Sequence, residues 1–265
     1  MGKVTIQSLT TINPVSVMGM EAGICWGGDV TDETKNYKRG LDCLKSGHLR
    51  TAEYPQVYMV LDGYSARVIR EFYTHIAGGP TRLQASTRYI DYKDFKCIMP
   101  PKVSHNSLTT MAYLEAIENT QTTLQTLEEA GIPKEDSANL LPLGMATKVV
   151  VRTNLRNLID MAHQRLCSRA YWEFRQLMDD IIEALAYYSD EWEILIRQYK
   201  IFKPKCAVCG YCEEKNSCGI YPTKKQHEDF VEYGKLFAKK DFKALLAFLT
   251  DEDKQNLVNL LSLEK

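Results

Sequence analysis

Thr147-Lys148-Val149-Val150-Val151-Arg152-Thr153-Asn154-Leu155-Arg156-Asn157-Leu158-Ile159 passes from one backbone period to another without a break. The β-branched run from Thr147 to Thr153, with three valines together, predicts a buried strand. Asn154 is of the type whose side chain accepts from the free N–H groups that open a helix, and Leu155, Leu158, Ile159 and Leu166 then fall inward at helical spacing. A second apolar run, Phe174, Leu177, Ile181 and Leu185, extends that helix or follows it.

Upstream the same alternation recurs. Val57 to Leu61 predicts a short apolar strand closed by the turn pair Asp62-Gly63, and Ala66, Ile69 and Tyr73 predict a helix that ends at Gly78-Gly79-Pro80. From Ser107 a long helix carries Leu108, Met111, Leu114 and Ile117 on one stripe, continues through Leu124 and Leu127, and stops at Gly131 with Pro133 behind it; this stripe is expected in the core. Interleaved strands and long helices give an α+β fold, and no Rossmann glycine fingerprint follows a predicted strand. Residues 1–200 form the expected main domain and residues 201–265 a cysteine-rich, helical C-terminal extension, with short amphipathic helices around Phe237, Phe242, Leu245, Leu246, Leu257 and Leu260.

The 265 residues are 45% hydrophobic and 25% charged, which leaves ample material for a core. A net charge of -1 argues against nucleic acid or an anionic membrane as the main partner, since both need a basic face. No apolar run reaches the length of a membrane span and the first residues lack the pattern of a secretory signal, so the expectation is a cytoplasmic protein with a small ligand.

That ligand is expected at Arg82-Leu83-Gln84-Ala85-Ser86-Thr87-Arg88-Tyr89, entered through Gly78-Gly79-Pro80. Guanidinium, hydroxyl and amide groups behind a glycine break suit an anion held by backbone and side chains together. Two further groupings are ambiguous. Arg156, Asp160 and His163 share one side of their helix, as a solvated ion-paired face or as a binding face; Arg165, nearer the apolar side, calls for an anionic partner. Glu71 and His75 stand four apart at a helix C-terminus, a place that favours a charged histidine.

Three collinear blocks carry a resemblance to the flavin-dependent thymidylate synthases: Arg70 to Tyr89, ending in Ser86-Thr87-Arg88-Tyr89; Leu141-Pro142-Leu143 with the valine strand and Asn154-Leu155-Arg156; and Arg165-Leu166-Cys167-Ser168-Arg169-Ala170-Tyr171-Trp172-Glu173. The resemblance implies a mixed or antiparallel sheet flanked by long helices, and reductive methylation of dUMP to dTMP with FAD, NADPH as reductant and methylenetetrahydrofolate as one-carbon donor. It also implies a homotetramer whose active sites combine several subunits. No cysteine nucleophile is required, so Cys97 and Cys167 are read as small packing residues.

Carried over residue by residue, the resemblance puts Gln84, Ala85, Ser86, Thr87 and Arg88 at the nucleotide and Arg165 at the pyrimidine. Thr51, His75, Asn154, Arg156 and Asp160 fall at the flavin. Arg165, Ser86 and His75 are the expected catalytic centre. The family triplet Arg-His-Arg reads Thr74-His75-Ile76 here, and Arg82 in a longer spacer is the expected substitute cation. Gln84 stands where a glutamate is common, Asp160 where an asparagine is, and Ala138 and Asn139 where an arginine precedes Leu141-Pro142. These departures keep open a related flavin-dependent pyrimidine-nucleotide methylase or hydroxymethylase, or a non-catalytic flavin- or nucleotide-binding relative.

Cys206, Cys209, Cys212 and Cys218 lie within one short stretch punctuated by Gly210 and Gly219. Such spacing can close around a structural zinc, ligate an iron–sulfur cluster, or leave thiols unligated or partly disulfide-bonded.

Overall fold

The computed structural model describes residues 2–239, 244 and 246–255. The chain divides into two compact units, Met1–Lys203 and Pro204–Lys265. The first holds an antiparallel sheet of β1 (Lys3–Ile6), β2 (Gln56–Ser65), β3 (Thr81–Gln84) and β4 (Ala146–Asn154) in the order β1-β2-β4-β3. Its longer helices are α1 (Pro14–Cys25), α2 (Glu33–Lys45), α3 (Ala66–Phe72), α4 (Ser107–Glu129), α5 (Leu155–Arg165) and α6 (Trp172–Ala186). The α+β class read from the sequence is the observed one, with every strand pair antiparallel.

Strand periodicity sorts the sheet into two faces. Val57, Met59 and Leu61 of β2 and Val149 and Val151 of β4 are fully buried, and the register pairs Met59 with Val151 and Leu61 with Val149. Against this face pack Val68, Ile69 and Phe72 of α3, Leu155, Leu158 and Met161 of α5, and Phe174, Leu177, Ile181 and Leu185 of α6. The strand and the two helices expected from Thr147 to Leu185 are all present, the second run forming a separate helix. Only the expectation of a strand buried throughout needs correction: Val150 points to the opposite face and is exposed, as alternation requires.

Two further expectations are corrected. Asp62-Gly63 does not end β2, because the strand absorbs the pair as a bulge between Asp62 and Tyr64, with Gly63 at φ 76. Beyond the bulge the strand is held by Tyr64, whose buried ring donates its hydroxyl to Asp180 over 2.6 Å. The α4 stripe is not core: Leu108, Met111 and Leu114 are 74%, 68% and 53% exposed. Only the later part of α4 packs, where Leu124 joins Phe95 and Met145 in a small second cluster with Ile117 at its border.

At the start of the unit, α1 opens on Pro14 and its first free N–H groups, of Val15 and Ser16, donate to Glu191 over 2.7 and 3.0 Å. The second unit contains α7 (Lys205–Cys209) and α8 (Lys224–Ala238), with a 3-10 turn at Leu246–Phe248. Of the short amphipathic helices expected there, the positions of Phe242, Leu245, Leu257 and Leu260 lie outside the described residues. Among the described residues no helix is long and apolar enough to cross a membrane.

Candidate active site

Ser65 ends β2 and caps α3, its hydroxyl accepting from Val68 N–H over 3.1 Å. Glu173, buried in the first turn of α6, accepts both the Ser65 N–H (2.6 Å) and the Ser65 O–H (2.5 Å). The start of α3 is thereby fixed to α6. Its other end delivers Glu71 and, just past the last turn, His75.

The C-terminal carbonyls of α3 are satisfied from β3. Arg82 reaches back so that its Nη2 donates to the His75 carbonyl and its Nη1 to the Tyr73 carbonyl (3.4 Å), with the guanidinium over the Phe72 and Tyr73 rings. Burial pulls the Arg82 pKa below the usual arginine value. Its Nε is the one buried side-chain nitrogen or oxygen without a hydrogen-bond partner among the described residues.

His75 is buried, its ring edge-on to Phe174 with centroids 5.7 Å apart. Arg165, the last residue of α5, donates from Nε to His75 Nε2 over 3.0 Å and from Nη1 to Glu71 Oε2 over 3.2 Å, and its guanidinium lies 4.6 Å from the Phe174 ring centroid. An acceptor Nε2 places the histidine proton on Nδ1. Burial, then the charges of Arg165 and Arg82, push the His75 pKa down to about 4. The expectation of a charged histidine is therefore overturned: two guanidinium groups and desolvation outweigh the helix dipole. Glu71, expected beside His75, turns instead to Arg165.

The other residues expected at a flavin lie around the start of α5. Asn154 caps the helix, accepting from Asn157 N–H over 2.8 Å. The glycine turn packs directly onto it: a Cβ on Gly78, at φ 72, would sit 2.3 Å from Asn154 Nδ2. Arg152 pins the same turn through the Gly79 carbonyl at 3.0 Å. Arg156 pairs with Asp160 over 3.0 Å, the solvated ion pair that helical spacing allows. Thr51 is buried in the 3-10 turn Leu49–Glu53, its hydroxyl donating to the His48 carbonyl, and Pro55 just beyond accepts from Leu155 N–H at the head of α5.

The nucleotide loop goes the other way. β3 runs antiparallel to β4 from Thr81 opposite Arg152 to Gln84 opposite Val149, and Ala85 N–H donates to the Lys148 carbonyl. At about 3.3 Å per residue, this puts Ser86 roughly 13 Å beyond Arg82 and roughly 20 Å from the Asn154 end of β4. Gln84 reaches Thr147 at 3.4 Å, Ser86 accepts from Arg88 N–H, and Arg88 pairs with Glu135 over 3.0 Å. Thr87 lines a recess of about 30 Å³ with Ile90, Lys93 and Leu124, too small for a nucleotide. Among the described residues no hydrogen bond or ion pair joins Ser86, Thr87 or Arg88 to Arg165 or His75. One chain thus brings His75, Arg82 and Arg165 together, adds Glu71 and Phe174 to them, and holds Ser86 to Arg88 apart.

Of the arrangements left open for the cysteines, the partly disulfide-bonded one is not found among the described residues. Cys206 and Cys209 lie on α7, Cys209 donates to the Tyr211 carbonyl, and Cys212 is buried where its N–H meets the Pro222 carbonyl. Among the described residues no group of three or more His, Cys, Asp or Glu side chains is placed to hold a metal ion. Cys206, Cys209, Cys212 and Cys218 as arranged do not fit a tetrahedral zinc.

This α+β fold carries a centre in which the guanidinium groups of Arg82 and Arg165 are held fixed beside a neutral histidine. A family model described as "Thymidylate synthase complementing protein" matches residues 9–187. The chain is 27% identical over 210 residues to a flavin-dependent thymidylate synthase of Nitratidesulfovibrio vulgaris, covering 74% of this chain and 82% of the relative. It is 27% identical over 235 residues to that of Clostridium tetani, covering 79% and 90%. The crystal structure of the flavin-dependent thymidylate synthase from Helicobacter pylori, complexed with FAD and dUMP, shares the fold at a TM-score of 0.57 and 18% identity, over 72% of this chain and 98% of that one. The chain belongs to the thymidylate synthase complementing protein family.

Proposed function

We propose that this protein is an FAD-dependent thymidylate synthase: the methylene carbon of methylenetetrahydrofolate passes to C5 of dUMP, and a hydride originating in NADPH completes the methyl group of dTMP. The observation that carries the reading is the Arg165–His75 pair on Phe174, a fixed guanidinium held over an aromatic floor by a neutral imidazole. FAD when bound supplies the two-electron relay between NADPH and the one-carbon unit.

The residues fit that cofactor at two points. The unpartnered Arg82 Nε is a buried cationic donor, the kind a flavin nucleotide's phosphate or carbonyl oxygen satisfies. At the start of α5, the glycine turn packed on Asn154 stands beside the Arg156 guanidinium, a cation suited to the flavin's phosphates.

At the base, Arg165 donates to a uracil carbonyl and stabilises the charge that gathers there when C5 becomes nucleophilic. His75 accepts from Arg165 and holds that guanidinium in one orientation without adding a charge of its own. Ser86, Thr87 and Arg88 take the 5'-phosphate, Gln84 and Ala85 flanking them. Since these residues lie far along the ribbon from Arg165 in one chain, the complete site combines copies, as expected of a homotetramer. The exposed Val150 and Leu83 on the outer sheet face and the bare α4 stripe are surfaces for such contacts.

The test is anaerobic reduction of the FAD-loaded protein by NADPH, then turnover with dUMP and methylenetetrahydrofolate and mass analysis of the nucleotide. The expected product has the mass of dTMP. A hydroxymethylated nucleotide would move the chain to the related hydroxymethylases, and flavin binding without product would make it a non-catalytic relative.

A further inference from the structure

We infer that Cys206 and Cys209 of the second unit form a reversible dithiol–disulfide couple, a site of oxidation by small-molecule disulfides. The inference is independent of the thymidylate synthase reading, which uses no cysteine.

The two thiols sit one turn apart on α7, at positions i and i+3, so their side chains share a face of the helix. Helix geometry sets their Cα atoms about 5 Å apart, inside the span of roughly 4.4–6.8 Å that a disulfide bridges. Both are half-buried, within reach of a small reagent, and both are in the reduced state. The backbone of the turn is closed by Gly210, which at φ 84 donates its N–H to the Cys206 carbonyl over 2.9 Å. A link between the side chains leaves that bond intact. Cys209 has only to rotate about Cα–Cβ and leave the Tyr211 carbonyl, to which its thiol donates over 3.0 Å.

A cation stands beside the pair. The Lys205 pKa is raised first by its bond to Glu213 and further by Cys209, so the ammonium lies within electrostatic reach of that sulfur. A neighbouring cation favours the thiolate, which is the nucleophile of disulfide exchange. The remaining cysteines are placed differently. Burial raises the thiol pKa of Cys43 and of Cys97, Cys212 is buried with its N–H on the Pro222 carbonyl over 2.7 Å, and Cys218 follows in an exposed turn.

The exchange balances in two steps. One thiolate of the pair attacks a sulfur of R–S–S–R, forming a mixed disulfide and releasing one R–S⁻, which takes up a proton. The second thiolate attacks the protein sulfur of the mixed disulfide, closing the Cys206–Cys209 bond and releasing the other R–S⁻. The pair loses two electrons and two protons, and the small disulfide leaves as two thiols.

The experiment treats the full-length, reduced protein with oxidised glutathione, blocks remaining thiols with N-ethylmaleimide, and maps the peptide from Cys206 to Lys215 by mass. The expected peptide lacks two hydrogens, carries its label on Cys212, and regains two reactive thiols in dithiothreitol. Cys209→Ser should cut the linked fraction at least about tenfold and leave a glutathione adduct on Cys206, whereas Cys212→Ser should leave the link in place. Adducts on Cys206 and Cys209 without a link overturn the inference, as does a link that involves Cys212 or Cys218. Thiols that resist labelling until a chelator is added overturn it too, by making them metal ligands.

Discussion

Arg165 donates its Nε–H to Nε2 of His75 over 3.0 Å, joining the end of α5 to the loop after α3. The bond fixes the guanidinium plane, the histidine tautomer and the absence of charge on the imidazole together, and the expected behaviour of the site follows from it.

His75 stays neutral through the physiological range. Its folded pKa, pushed down to about 4 from the ordinary 6.5, means the unfolded chain binds more protons between those values, so stability falls as pH drops through that window. The size is roughly 2–3 kcal/mol by pH 4. Nitrogen-detected NMR of labelled histidine should show the Nδ1–H tautomer with no titration above pH 5. A midpoint near 6.5 would refute the buried neutral assignment.

Arg165→Lys keeps the charge and loses the planar fork that meets His75 and Glu71 at once. With dUMP as substrate, kcat/KM is expected to fall at least about 100-fold, the scale of one oriented donor in an active site. Unfolding in urea should change little by comparison, and a fall of less than a few-fold in kcat/KM would show that charge alone suffices.

Arg82→Ala removes the buried cation with the unpartnered Nε and the cap on the α3 carbonyls. Purified protein should retain less flavin, read from the ratio of visible to ultraviolet absorbance. Arg82→Lys should restore part of the loading, since lysine returns the charge without the fork. Full loading of both variants would place the phosphate elsewhere.

Glu173→Ala strips the buried acceptor from the Ser65 N–H and O–H. The expected cost is about 2–4 kcal/mol in urea unfolding, because a buried backbone donor at a helix start is left unpaired. Activity lost without such destabilisation would instead give Glu173 a direct role in chemistry.

Much of this arrangement is legible in the sequence where it depends on near neighbours. The β4 strand and the Asn154 cap follow from β-branched composition and capping chemistry, though not the exposure of Val150, and Arg165 stands out as a guanidinium needing a partner. The partner itself was not legible, since His75 lies 90 positions away. The bulge at Gly63 was hidden because Asp-Gly is equally the signal of a turn, and only the anchor at Tyr64 decides between them. The α4 stripe misleads for a different reason: helical periodicity shows that a face is apolar, not that the same chain covers it. The start of α1 is not legible locally, since the acceptor that opens it is Glu191, over 170 positions downstream.

Phe174 is fully buried, stacks on Phe72 at 6.1 Å, meets the His75 edge and floors the Arg165 guanidinium. One ring is therefore a structural member and the bench on which His75 and Arg165 are aligned. Warming or mutational loosening that lets this ring wander will be felt as lost turnover before melting is detectable, so heat inactivation should run ahead of denaturation.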